Sequence, residues 1–283
     1  MKLRSLLLIA LVAVVFCGCH SYQPTSITVA SYNLRNANGS DSAKGNGWGQ
    51  RYPVIAKMVQ YHDFDIFGTQ ECFIHQLKDM KEALPGYDYI GVGRDDGKEK
   101  GEHSAIFYRT DKFDVIEKGD FWLSETPDVP SKGWDAVLPR ICSWGHFKCK
   151  DTGFEFLFFN LHMDHIGVVA RRESAVLILE KIKQMAGDLP VIVTRDFNGT
   201  VDSEPVTVLT EGGMKNACVT AKVAYGPTWS FHDFGRIPVE KRRLIDFIFI
   251  KGAVEVERYR TIDDKPDNGY LSDHAPVMAI LKL

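Results

Sequence analysis

Leu189-Pro190-Val191-Ile192-Val193-Thr194-Arg195-Asp196-Phe197-Asn198 is a short apolar run that stops abruptly at an acid and an amide. Its length and β-branched content suit a buried strand better than a helix. A side-chain period of two places Asp196 and Asn198 on one face. The segment before it, from about Ala170 to Met185, has helical apolar spacing. A helix feeding a buried strand that ends in polar groups is the unit from which the fold is read.

Four further segments repeat the plan. Phe154-Glu155-Phe156-Leu157-Phe158-Phe159-Asn160-Leu161-His162-Met163-Asp164-His165 is too continuously apolar for an edge strand, and its alternation puts Asn160, His162 and Asp164 on one face. Ile27-Thr28-Val29-Ala30-Ser31-Tyr32-Asn33-Leu34-Arg35 alternates as a strand with Asn33 near its end. Tyr52 to Tyr61 has helical spacing, and Asp65-Ile66-Phe67-Gly68-Thr69-Gln70-Glu71 follows as a buried strand ending in Glu71, before a helix from Ile74 to Leu84. Downstream, Arg243-Leu244-Ile245-Asp246-Phe247-Ile248-Phe249 gives meaning to the terminal Leu271-Ser272-Asp273-His274-Ala275-Pro276. A histidine exchanges protons near neutral pH when a buried carboxylate fixes its tautomer, so His274 and Asp246 form a candidate acid/base pair.

Each member has a plainer reading on its own. Asn33 suits a turn, Glu71 a helix cap, His162 a satisfied core histidine, and Asp196 to Gly199 an Asx turn. Polar groups at the ends of central strands are costly to bury unless satisfied. Five such sets therefore point to one shared site.

Ser31-Tyr32-Asn33, Thr69-Gln70-Glu71, Asn160-Leu161-His162, Asp196-Phe197-Asn198, Leu244-Ile245-Asp246-Phe247 and Ser272-Asp273-His274 occur in one order along nearly the whole chain. In this combination the sequence resembles the endonuclease/exonuclease/phosphatase superfamily, with its deoxyribonuclease-I-like fold. The resemblance implies an α/β protein, a four-layer sandwich of two mainly antiparallel β-sheets packed face to face with helices outside. It implies metal-dependent hydrolysis of a phosphodiester or phosphomonoester, as a nuclease or a phosphatase, by in-line attack of an activated water. Carried over position by position, Glu71 is the principal metal ligand, with Asn33 and Asp273 nearby. Asp196 and Asn198 position or activate the water, and His162 donates to the phosphate. His274, oriented by Asp246, is the acid/base residue. His103 and Arg140 are implied phosphate contacts. The residue types suit Mg²⁺, with Mn²⁺ as a substitute, because a hard cation prefers oxygen ligands.

One position departs from that pattern. The superfamily carries glycine before the aspartate of Asp-Phe-Asn, and here it is Arg195. If glycine is needed there, Arg195 distorts Asp196 and leaves a non-catalytic lipoprotein that binds phosphorylated ligands. Alternatively Arg195 points outward and meets substrate. Asn160-x-His162-x-Asp164-His165 is also similar to the zinc motif of metallo-β-lactamase-like hydrolases, but its first histidine is missing and that fold leaves Glu71 and Asp246 unexplained.

Met1-Lys2-Leu3-Arg4 and the apolar run Leu6 to Phe16 read as a signal peptide, too short for a bilayer-spanning helix of about 20 residues. The run ends at Cys17-Gly18-Cys19, which resembles a bacterial lipobox. The expectation is a signal peptide over residues 1–18, lipidation at Cys19, and one domain over 22–283. A monomer held by its lipid anchor on the periplasmic or surface face of the cell envelope is expected. A hydrophobic content of 45% with 25% charged residues is that of a globular domain, and no linker or repeat divides the chain. The net charge of −3 without Lys/Arg clusters excludes a dedicated duplex-DNA binder. Phosphorylated small molecules and single-stranded nucleic acid remain as substrates. The style of the sequence is similar to the deadenylase-like branch, while an envelope location suits scavenging of nucleotides, sugar phosphates or lipid head groups. Trp48, Trp122, Trp134 and the run Thr228 to His232 either stack on substrate or close the ends of the sandwich.

Overall fold

Alternation along the central strands decides what each sheet face packs against. In the computed structural model, which describes residues 25–267 and 269–283, the chain runs β1 (Ser26–Asn33), α1 (Gly39–Ala43), α2 (Trp48–Tyr61), β2 (Ile66–Gln70), α3 (Ile74–Ala83), β3 (Tyr87–Ile90) and β4 (Ile106–Arg109). It continues through β5 (Phe113–Trp122), β6 (Ile141–Cys149), β7 (Glu155–His162), α4 (Val168–Met185), β8 (Val191–Asp196), α5 (Glu204–Glu211), β9 (Lys215–Asn216) and α6 (Ala217–Thr220). The last elements are β10 (Val223–Tyr225), β11 (Asp246–Lys251), β12 (Glu255–Thr261) and β13 (Val277–Lys282). The signal peptide and Cys19 lie outside the described residues. Helix α2 starts four residues before the expected Tyr52, because Trp48 and Arg51 are also buried and a charged residue hid that face in the sequence.

Among the described residues the strands form a seven-stranded sheet, β10-β12-β13-β1-β2-β4-β3, and a six-stranded sheet, β5-β6-β7-β8-β11-β9. Pairs β1/β2, β10/β12 and β7/β8 are parallel and the others antiparallel. Three apolar layers result. Between the sheets lie Val29, Ile66, Phe156, Phe158, Ile192, Ile248 and their neighbours. The outer face of the six-stranded sheet buries Phe159, Leu161, Val193 and Phe247 against α4 and α5. The outer face of the seven-stranded sheet buries Ala30, Tyr32, Phe67 and Phe107 against α2 and α3. This is the expected four-layer sandwich.

The two rims of the sandwich differ. At one, Leu283 N–H donates to Thr25 O (2.8 Å), so the described chain enters and leaves there. At the other, β1, β2, β7 and β8 end and β11 and β13 begin, which brings Asn33, Glu71, His162, Asp196, Asp246 and His274 to one edge.

Candidate active site

Below that rim the layer between the sheets changes from apolar to polar. Gln70 Nε2 donates to Asn160 Oδ1 (2.7 Å) and Ser31 Oγ (3.2 Å), and Thr194 Oγ1 donates to the same Asn160 oxygen (3.0 Å). Asn160 Nδ2 in turn donates to Thr69 O and Ala105 O across the gap (2.8 and 3.0 Å). These groups are buried, and each bond offsets the desolvation cost of its members. Gly68 faces the same point, where a Cβ would stand 2.2 Å from Asn160 Oδ1 and Thr194 Oγ1. The layer is a fixed floor for the site.

Above it stand four carboxylates. Glu71 follows the end of β2 at φ +67°, a conformation that L residues rarely adopt, and so departs from the strand direction. It does not cap α3, because Gln76 Oε1 accepts the Phe73 N–H instead (3.1 Å). Asn33 Nδ2 donates to both Glu71 Oε1 and Asp196 Oδ2 at 3.0 Å, while Arg35 N–H occupies Asn33 Oδ1 (2.9 Å). Asn33 therefore bridges two acids rather than offering the oxygen expected of a metal ligand. Asp196 Oδ1 accepts from Asn198 N–H (2.9 Å), so the Asx turn and the site geometry are one structure. Burial, and next the Asp246 charge, push Asp196 up to about 7.

His274 Nδ1 donates to Asp246 Oδ2 at 2.8 Å, and its Nε2 lies 3.7 Å from Asp196 Oδ2. Burial opposes charge on this ring, but Asp246 and Asp196 together hold it well above the usual histidine range. Asp273 is raised chiefly by burial, and its Oδ2 is 3.6 Å from Arg35 Nη1.

The opposite wall is built on Arg140. Its Nε donates to Asp164 Oδ2 (3.2 Å), Nη1 to His162 Nδ1 (3.2 Å) and Nη2 to His165 Nδ1 (2.9 Å). Because Nδ1 of His162 accepts from Arg140, the neutral ring carries its proton on Nε2, 3.6 Å from Asp196 Oδ2; Asn198 Nδ2, which donates to Met163 O (2.9 Å), stands 3.0 Å from that nitrogen, and the two donors share no hydrogen bond. Burial, then the Arg140 charge, lower His162 well below its usual value, so it is a neutral donor. Asp164 accepts Ile166 and Gly167 N–H groups (3.0 and 2.8 Å) just beyond β7, whereas Asn160 and His162 share the inner face of that strand.

The cleft of about 460 Å³ is lined by Glu71, Arg140, His162, Asp196, Asn198, Asp273 and His274, among others. His103 is not on its wall. It sits behind Glu71, 1% exposed, with N–H and Nδ1 on Cys72 O. Arg35 went unremarked in the sequence: its φ is +57°, and its guanidinium approaches Glu71 (3.8 Å), Asp273 (3.6 Å) and Asp41 (2.8 Å). Its position immediately after the Asn33 strand was the available signal. Trp48, Trp122 and Trp229 are buried, so they close the sandwich, and Phe231 is the aromatic that reaches the cleft.

Arg195 corrects a further expectation. Its neighbours Thr194 and Asp196 face inward, so its own side chain lies on the helix side of β8, 0% exposed, against Phe197. Among the described residues none of its three guanidinium nitrogens finds a hydrogen-bond partner. It neither reaches substrate nor displaces Asp196. Arg51 shows the contrast, as its buried guanidinium donates to the carbonyls of Leu34, Arg35, Asn46 and Leu271 and ties the loops that carry the site. Cys72, Cys142, Cys149 and Cys218 are free, and Cys142 and Cys149 lie in different apolar layers.

Glu71, Asp196, Asp246 and Asp273 outnumber the cleft cations Arg35, Arg140 and His274, and atoms of Glu71, His162 and Asp196 lie within 4.8 Å of one another. The two carboxylates that converge on Arg35 Nη1 already hold one positive charge. Excess carboxylate and hard oxygen donors fit a divalent cation.

A family model described as endonuclease/exonuclease/phosphatase matches residues 30–274. The crystal structure of a family protein from Bacteroides thetaiotaomicron is 64% identical with a TM-score of 0.90, covering 93% of this chain and 97% of that one. A mannosyl-6-phosphatase from the same organism is 63% identical with a TM-score of 0.87, covering 90% and 99%. An uncharacterized protein of Acanthamoeba polyphaga mimivirus is 34% identical over 161 residues, 53% of this chain and 59% of that protein. This chain thus spans about three fifths of that curated relative and 41% of a second from the same virus.

Proposed function

The chain belongs to the endonuclease/exonuclease/phosphatase family, and from that premise we propose that it is a phosphoesterase that removes phosphate from a phosphorylated sugar, a mannosyl 6-phosphate, with a divalent cation, in the bacterial cell envelope. The observation that carries the substrate is the 63% identity to a mannosyl-6-phosphatase over 90% of this chain, together with a cleft lined by Glu71, Arg140, His162, Asp196, Asn198, Asp273 and His274.

Water attacks phosphorus in line with the departing sugar oxygen, which leaves as a hydroxyl on taking a proton from solvent. Asp196, raised to about 7, takes its proton, since a base with a pKa near the working pH is the effective one. Asp246 and Asp196 favour the protonated form of His274, which suits it to a charged donor role. Its charge, held by Asp246, faces the phosphate together with Arg140, the Nε2–H of His162 and the amide of Asn198, which stabilises negative charge as it grows. A divalent cation held by Glu71, with Asp273 beside it, supplies further positive charge to the phosphate oxygens when bound; Mg²⁺ fits these donors, with Mn²⁺ as a substitute. The envelope location rests on the Cys17-Gly18-Cys19 sequence.

The test is a hydrolysis screen over mannose 6-phosphate, mannosyl 6-phosphate glycans, other sugar phosphates, nucleotides, phospholipids and single-stranded oligonucleotides, with Mg²⁺ and Mn²⁺. Preference for the mannose esters is expected. A preference for diesters would overturn the reading.

A further inference from the structure

The loop between Trp229 and Arg236 forms one wall of the cleft and takes no part in the phosphate chemistry. Phe231 and Asp233 both line the cleft from it. Asp233, Phe234 and Gly235 are three successive left-handed residues, with φ of +51°, +51° and +81°. Two of them carry side chains that disfavour this backbone, and such strain persists only where the surroundings impose it.

The surroundings do so here. Phe231 N–H donates to Arg243 O, Ala275 N–H donates to Ser230 O, and the N–H groups of His232 and Asp233 both donate to Asp273 O (2.7 to 3.0 Å). Phe234 is held between the guanidiniums of Arg51 and Arg236, and a Cβ on Gly235 would meet the Tyr270 ring at 2.5 Å. The loop is therefore a rigid shelf fastened to the backbone of Asp273.

Other polar groups on the cleft wall are committed. Asn36 donates to Glu102, Glu102 pairs with Arg94, His165 accepts from Arg140, and Arg35 is bound to Asp41. Among the described residues the Asp233 carboxylate is held by Arg236 in an exposed pair, which exchanges readily with other partners. Phe231 packs its ring against His274 (centroids 5.0 Å apart) and is half-buried, with ring surface facing the cleft.

We propose that Phe231 and Asp233 form the subsite for the sugar ring, with Phe231 covering the apolar face of a pyranose and Asp233 accepting its hydroxyl protons. This rests on the sugar-phosphate reading above. It makes the enzyme selective for a ring-bearing phosphate ester over an acyclic one of equal charge.

The test compares kcat/KM for mannose 6-phosphate with that for glycerol 1-phosphate in the wild type, Phe231→Leu and Asp233→Asn. Asparagine tolerates a positive φ, so Asp233→Asn keeps the backbone and stays informative if the leucine variant folds poorly. The ratio is expected to fall by about tenfold in each variant, through KM for the sugar ester, as expected for a site that loses one contact to its substrate. An unchanged ratio, or equal losses on both esters, would overturn the subsite. A wild type that turns over glycerol phosphate but not the sugar esters would instead defeat the sugar-phosphate reading.

Discussion

His274 donates a hydrogen bond from Nδ1–H to Asp246 Oδ2 at 2.8 Å and turns Nε2 towards Asp196, so one imidazole stands between two carboxylates of different duty. Activity should rise with pH as Asp196 loses its proton near 7, and fall at higher pH as His274 loses its own. Asp246→Asn removes the carboxylate that raises His274, so the alkaline limb of kcat/KM should move to lower pH. A limb that stays in place or moves up refutes the orienting role. His274→Ala should cost roughly a thousandfold in kcat.

Glu71→Gln removes a ligand charge with little change in volume. Metal-stimulated hydrolysis should be lost while the melting temperature stays within a few degrees. Titration calorimetry with Mn²⁺ should show weakened binding, and full activity at saturating metal would exclude Glu71 as a ligand.

Gly68→Ala probes the floor of the site. The new methyl group cannot coexist with Asn160 and Thr194 where they stand. Overpacking there should destabilise by about 2 kcal/mol and lower kcat, although no substrate touches residue 68. Denaturant unfolding beside kinetics would decide the matter, and a silent variant would mean that the polar layer is dispensable.

Arg195→Met replaces a buried guanidinium that has no partner by an apolar side chain of similar length. Arginine does not shed its proton to escape burial, so stability should rise by about 2 kcal/mol, roughly 6 °C for a domain of this size. Because Asp196 is held by Asn33 and Asn198, kcat should change little. A large rise in kcat would show that Arg195 impairs the natural enzyme.

The strands and their polar ends were legible in the sequence because alternation and termination are local properties. Asp196, His162 and Asp246 lie where their strand positions put them, and His274 lies three residues before β13. The inward turn of Glu71 was hidden, since it depends on a positive φ that no neighbouring residue dictates. The contact between Gly68 and Asn160 needs two sheets facing one another, which pairs residues 92 positions apart. The burial of Arg195 was available from period two alone: if Asp196 faces the site, its neighbour must face the helices. His103 was placed on the cleft by likeness to relatives, and the structure sets it behind Glu71.

Cys19→Ser should release the protein from the membrane fraction into a soluble pool. Retention of the variant in detergent-dependent fractions would defeat lipidation at Cys19.

The rim at which the described chain begins, beside Leu283, is the one remote from the catalytic cleft. Strand β1 alone separates them by about 26 Å. The six Cα–Cα steps from Cys19 to Thr25 reach no further than about 20 Å, so acylation at Cys19 would hold the domain close to the bilayer by its blunt end. The cleft would then open towards the surrounding medium. An enzyme so anchored would be a stationary collector of soluble esters that diffuse to it, with the head groups of its own membrane behind it.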